Sequence, residues 1–154
     1  IPRPPQPGSS PFVRVTSGHP RERTHVQPRT LGTADLPRAI VFYDRLLAPL
    51  GLHRHITETE AGLAGYGTAA DSTPQLWIMR PLDGRPATVG NGVTVALEAR
   101  SRVVVRAVHA AGLAAGGTDE GGPGLRPHYH PDFHGAYLRD PDGNKLCCVC
   151  HAPA

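Results

Sequence analysis

The chain has 154 residues, of which 39% are hydrophobic and 19% charged, with 18 glycines, 17 prolines and a formal net charge of +3. A chain of that length builds one core, burying roughly 68–70% of its unfolded surface if all of it folds. No run of about 18 apolar residues is present, which excludes a membrane-spanning helix, and no basic stripe interleaved with aromatics is present, so neither a membrane nor a nucleic acid is expected as a partner.

The prolines locate the first region. Seven of them, at 2, 4, 5, 7, 11, 20 and 28, fall between Ile1 and Pro28, together with Arg3, Arg14, Arg21 and Arg23. Apolar residues there settle into neither the strand nor the helix period. Residues 1–27 therefore read as a Pro/Arg-rich extension, disordered or loosely attached, and 28–154 as the folded domain. This segment also lacks the uninterrupted apolar stretch of a secretory signal, so a cytoplasmic location is expected.

Asp35 opens the first strong element, since its carboxylate can cap orphan N–H groups, and Pro37 is tolerated in a first turn. Leu36, Ala39, Ile40, Tyr43, Leu46, Leu47 and Leu50 recur at helical spacing up to Gly51. Pro49 is expected to end regular hydrogen bonding slightly before that glycine. Strand-like segments follow at 52–59, 62–68 and 75–80, separated by turn formers such as Asp71-Ser-Thr-Pro74. Residues 80–92 carry Pro and Gly without periodicity and read as a connection. A strand at 92–98, a cap at Ser101 and a stripe of Val104, Ala107, Val108, Ala111 and Ala114 or Ala115 then repeat the opening pattern.

A Gly-rich span at 116–124 and a His-rich segment precede strands at 135–139 and 145–150. Asp140-Pro-Asp-Gly-Asn144 joins these strands; proline presets φ and glycine accepts a positive one. The chain thus reads twice as strand, helix and three strands, over about 28–81 and 91–152, a repeat of pattern rather than of sequence. Cys147, Cys148 and Cys150 are odd in number and crowded, which is not a disulfide framework; reduced thiols are expected.

Leu31-Gly-Thr-Ala-Asp-Leu36, Ala39-Ile-Val-Phe-Tyr-Asp44 and Leu47-Ala-Pro-Leu-Gly-Leu52 resemble the opening of glyoxalase/bleomycin-resistance/extradiol-dioxygenase (vicinal oxygen chelate) proteins. Gly90-Asn-Gly92, residues 110–117, Gly124-Leu-Arg-Pro-His-Tyr-His130 and Arg139-Asp-Pro-Asp-Gly-Asn-Lys145 resemble a branch of small bacterial glyoxalase-like proteins. The likeness runs from Arg29 onward. It implies an α+β fold of paired βαβββ modules forming an open, barrel-like cleft, a small-molecule ligand and a homodimer.

In metal-using members of that family, the first and last strands of both modules supply His and Glu or Gln ligands to one divalent ion. The resemblance carries those positions to Pro28, Trp77, Thr94 and Cys147. No metal and no cofactor is therefore favoured, the alternative being Zn, Ni, Mn or Fe, a choice that octahedral oxygen- and nitrogen-rich sites allow. Two other donor sets remain open: a local shift that brings in His25, and a His/Cys set of His128, His130, His134, Cys147, Cys148, Cys150 and His151.

For ligand binding the candidates are Trp77, Arg126, His128, His130, His134 and Tyr137. An extended segment would place His128, His130, Asp132 and His134 on one face as a pocket wall. Arg126 can pair with an acidic group, and Trp77 and Tyr137 can line an apolar cavity. The same histidines equally serve as loop packing, and no catalytic residue is assigned. Metal-independent binding is the favoured function. The alternatives are a metal-dependent enzyme, lactoylglutathione-lyase-like or dioxygenase-like, and a non-enzymatic interaction module.

Overall fold

A computed structural model describes residues 28–153, so the predicted extension over 1–27, His25 included, lies outside the described residues. β1 (Arg29–Gly32) leads into α1 (Leu36–Leu47), then β2 (His53–Glu58), β3 (Leu63–Gly67) and β4 (Leu76–Met79). The second half repeats this as β5 (Val95–Glu98), α2 (Arg102–Ala114), β6 (Thr118–Leu125), β7 (His134–Arg139) and β8 (Lys145–Cys150).

The order of strand, helix and three strands predicted for each half is present, with β6 where the sequence showed only a Gly-rich span. One four-stranded sheet has the order β1-β4-β3-β2 and the other β5-β8-β7-β6, each with a parallel pair at its start and antiparallel pairs beyond. The fold is α+β, with two open sheets.

Helix α1 forms as its sequence dictates. Asp35 Oδ1 accepts from Arg38 N–H at 3.0 Å, and Leu36, Ala39, Phe42, Tyr43, Leu46 and Leu47 form the buried stripe. Pro49 sits in a short 3-10 turn, Ala48–Leu50, that ends at Gly51 with φ 73°. Helix α2 is rotated relative to its expected stripe. Its buried residues are Val105, Val108, His109 and Gly112, while Ala107 and Ala114 face solvent. Gly112 fits the rotation: a β-carbon there would stand 2.7 Å from Leu138 Cδ1 and 2.8 Å from Leu46 Cδ1, so a larger residue would have to push both leucine side chains aside where the helix meets β7 and α1.

The Gly-rich span at 116–124 is not a loop but most of β6, an edge strand paired with β7 through two register shifts. The 126–133 segment is not extended either. It is a turn closed by Arg126 N–H donating to the Phe133 carbonyl at 2.7 Å.

Both helices lie on the same side of their sheets and share one core. Leu31, Ala64, Tyr66, Leu76 and Ile78 of the first module join Leu97, Ala136, Leu138, Leu146, Cys148 and Cys150 of the second there. The Asp140–Asn144 turn fastens the second module to the first. Asp140 accepts from the Tyr43 hydroxyl at 2.6 Å and from Asn144 Nδ2 at 2.8 Å, Asn144 Nδ2 also reaches the Gly32 carbonyl at 3.0 Å, and Thr33 Oγ1 donates to Asp142 at 2.6 Å. Burial, and then the Asp140 carboxylate, push the Tyr43 hydroxyl well above its ordinary range.

Candidate functional site

Strand alternation divides each sheet into a core face and an opposite, cleft-side face. The registers show which residues share the latter. In the first module Thr30, Trp77, Gly65 and Ile56 stand side by side across β1, β4, β3 and β2. In the second, Ala96, Cys147, Tyr137 and Gly121 take the same places across β5, β8, β7 and β6. Trp77 is therefore the counterpart of Cys147, and Gly65 of Tyr137. Pro28 and Thr94, each one residue before the first paired residue of its strand, are counterparts too and are exposed.

These four positions do not fit the divalent ion that the resemblance implies. Proline and tryptophan have no ligating atom, and the Thr94 hydroxyl is no substitute for an imidazole. Burial pushes the Cys147 thiol up, against the opposing pull of Tyr137, Arg126 and Lys145, which disfavours the thiolate a metal would need. The His/Cys set does not converge. Cys148 and Cys150 belong to the core, with burial pushing Cys148 up to about 12. Among the described residues no three His, Cys, Asp or Glu side chains come together to hold a metal ion.

The two cleft-side faces differ in chemistry. In the first module Trp77 and Pro74 lie over Gly65, where a β-carbon would meet Pro74 Cγ at 2.6 Å and Trp77 Cζ3 at 2.9 Å. That face is apolar. In the second, Tyr137 stands on β7 with the Arg126 guanidinium 6.0 Å and the Lys145 ammonium 5.5 Å from its ring centroid. Burial, followed by the neighbouring Cys147 thiol and Tyr129 hydroxyl, raises the Tyr137 hydroxyl far above its ordinary value.

The 126–133 turn adds aromatics, Tyr129 and Phe133, that are not among the residues expected from the sequence to bind a ligand. Tyr129 packs on Phe133 at 4.8 Å and on His128 at 4.2 Å, and His151 packs on Phe133 at 5.5 Å. Their signal was local density alone, with no period to mark it. His130 and His151 stack at 5.0 Å and share a 2.8 Å contact between Nε2 and Nδ1. Asp132 N–H donates to His130 Nδ1 at 3.2 Å, so His130 carries its proton on Nε2 and donates to His151.

Of the sequence candidates, Arg126, His128, His130 and Tyr137 come together around this turn, and Trp77 stands on the other module's face. His134 does not join them. It points to the core side, paired in register with Cys150, with its Nδ1 buried and unpartnered. The reason is the turn: without an extended backbone, even spacing no longer means a shared face. Burial, then Arg102 and Arg106, lower its pKa.

Surface concavities are also present among the described residues, one of about 550 Å³ at the Asp140–Gly143 turn beside Arg38 and Arg139 and one of about 310 Å³ beside Pro49 and Arg100. The arginines of the first are already paired, Arg38 with Asp142 at 3.0 Å and Arg139 with Glu120 at 2.7 Å. That leaves the sheet faces as the better site.

No protein-family model matches the chain, and no curated protein matches it. Solved structures do. A glyoxalase/bleomycin resistance protein from Albidiferax ferrireducens T118 is 37% identical, with a TM-score of 0.72, over 84% of this chain and 100% of that one. The chain belongs to the glyoxalase/bleomycin resistance protein/dioxygenase superfamily. Two more distant members show the same fold. One is a glyoxalase-related enzyme from Fulvimarina pelagi, 20% identical with a TM-score of 0.62 over 82% of this chain and 88% of that one. The other is a lactoylglutathione lyase from Agrobacterium tumefaciens, 18% identical with a TM-score of 0.59 over 84% and 96%. Within this superfamily fold, the cleft-side faces of the two sheets are where the side chains just described stand.

Proposed function

We propose that the chain is a metal-independent binding protein of the bleomycin-resistance kind, which holds a small molecule in a cleft that two copies complete. The observation that carries this reading is the register equivalence of Pro28 with Thr94 and of Trp77 with Cys147. These positions, at which the resemblance places metal ligands, carry no imidazole or carboxylate. A binding protein loses nothing by that, because sequestration needs shape, apolar area and a few placed polar groups. Trp77, Arg126, His128, His130 and Tyr137 supply those, while His134 supports the sheet from its core side. Pairing of two copies is supported by the half-buried Trp77 and Ile56 on a face that, among the described residues, no helix covers.

Metal content decides between this reading and a metal-dependent lyase or dioxygenase. Purified protein is expected to carry no stoichiometric Zn, Ni, Mn or Fe by elemental analysis. One tightly held divalent ion per chain, on protein side chains, overturns the proposal. The combined replacement Pro28→His, Thr94→His and Cys147→Glu is expected to gain metal affinity, since it restores donors at three of the four positions.

A further inference from the structure

The second-module face holds a cation that, among the described residues, has no anionic partner. Arg126 lies across the glycines of β6, with its Nη2 donating to the Gly122 carbonyl at 2.9 Å and its Nη1 to the Leu125 carbonyl at 3.2 Å. A β-carbon on Gly124 would stand 2.9 Å from Nη1, so the glycines of this strand make the bed the guanidinium occupies. Nearby carboxylates are committed elsewhere: Glu120 to Arg139 at 2.7 Å and to Lys145 at 3.6 Å, Asp132 to Arg102 at 3.6 Å, and Asp119 to His109 at 2.9 Å. Among the described residues, the remaining Arg126 donors have no acceptor.

Two further features adjoin that cation. The Tyr137 ring beneath it is flanked by Lys145 as well, but Lys145 is paired with Glu120, so Arg126 is the unpaired cation over a face whose floor is aromatic. Beside it, Tyr129 is 61% exposed yet held by Phe133 and His128, an aromatic surface kept rigid without being buried. A guanidinium prefers a planar, two-oxygen anion that it can grip with both arms, and ordered rings prefer a planar partner at stacking distance.

Resting on the cleft-binding reading above, we infer that the ligand of this face is a planar aromatic carboxylic acid, its carboxylate on Arg126 and its ring against Tyr129 and Phe133. The first module's apolar face, around Trp77, offers no such anion grip. The ligand thus enters with its acid end toward the second module.

Four probes of similar size test this by titration calorimetry on the full chain: 2-naphthoate, the neutral 2-naphthamide, a 2-naphthylmethylammonium salt and octanoate. Naphthoate is expected to bind roughly tenfold or more tighter than the amide, with the cation weakest. Arg126→Gln should bring naphthoate down to the amide's affinity while leaving the amide unchanged, and Arg126→Lys should fall between. Equal binding of naphthoate and amide, or a preference that survives Arg126→Gln, overturns the acid's role; octanoate matching naphthoate overturns the ring's. Binding of the amide alone sinks this inference and leaves the binding-protein reading standing, whereas binding of none of the four sinks both.

Discussion

The two modules share a register and differ in what they place on it. Three residues beyond the counterparts Gly65 and Tyr137 stand Thr68 and Asp140, and here the halves diverge most. Thr68 is fastened to Asp71, three residues away, at 2.8 Å, so its turn is organised locally. Asp140 reaches out of its turn to Tyr43 on α1, and the Asn144 and Asp142 of the same turn reach Gly32 and Thr33. A duplicated unit can thus keep its backbone while one copy takes over the joining of the halves and, on its other face, the polar part of a ligand site.

The largest expected effect comes from breaking that division at the join. Asp140 is 4% exposed, and its two oxygens accept from Tyr43, from Asn144 Nδ2 and from the N–H groups of Asp142 and Asn144. Asp140→Ala leaves those donors buried without an acceptor and should cost about 3 kcal/mol or more, read from the urea midpoint. Tyr43→Phe removes one bond and should cost about 1–2 kcal/mol. The local counterpart, Asp71→Ala, is expected to cost about 1 kcal/mol. Equal losses for Asp71→Ala and Asp140→Ala would mean that the join is not concentrated in the second turn.

A smaller effect separates the two sheet faces. Gly65 admits no β-carbon beneath Pro74 and Trp77, so Gly65→Ala should destabilise by about 1–3 kcal/mol through overpacking, while its counterpart change Tyr137→Phe should cost less than about 1 kcal/mol. Thiol labelling sharpens the same contrast within β8. At pH 8 Cys148, in the core and with a pKa near 12, should stay unmodified over times at which Cys147, on the cleft side, reacts slowly. Mass spectrometry after iodoacetamide treatment checks the order, and faster loss of Cys148 would contradict the assigned faces.

Much of this fold was legible because caps and periods are local. Asp35, Ser101, Gly51 and the Asp140–Asn144 turn act on their immediate neighbours, and each does in the structure what its chemistry predicts. β6 was not legible. Thr118–Leu125 holds its place by backbone bonding to β7 at a sheet edge, with glycines where an alternating side-chain signal would stand. The rotation of α2 depends on Leu46 and Leu138, which are distant in sequence and meet at Gly112. For the site, residue types were readable and directions were not. His128 and His130 join Tyr137 because the turn folds back, and the same turn sends His134 to the other side.

His134 gives the finest test of that assignment, because its counterpart by register, three residues before Tyr137, is Gly62, which has no side chain to titrate. Its pKa is lowered in the folded chain by burial and then by Arg102 and Arg106, whereas the unfolded chain returns it to about 6.5. The unfolded state therefore binds the proton first as pH falls. Stability is full above about pH 6.5 and declines below it until the folded-state pKa is passed, after which the slope from this group vanishes. Asp119 and Glu120 are also shifted, downward, the first by the Gly121 N–H and the second by Arg139, so their losses begin only as pH falls through the ordinary carboxylate range near 4. The two windows do not overlap between pH 7 and 5. Urea denaturation at half-unit steps across that interval should show a fall in stability in the parent chain and a flatter profile in His134→Asn. The same slope in both proteins would mean that His134 is not held neutral on the core side, and the division of the β7 face between Tyr137 and His134 would lose its support.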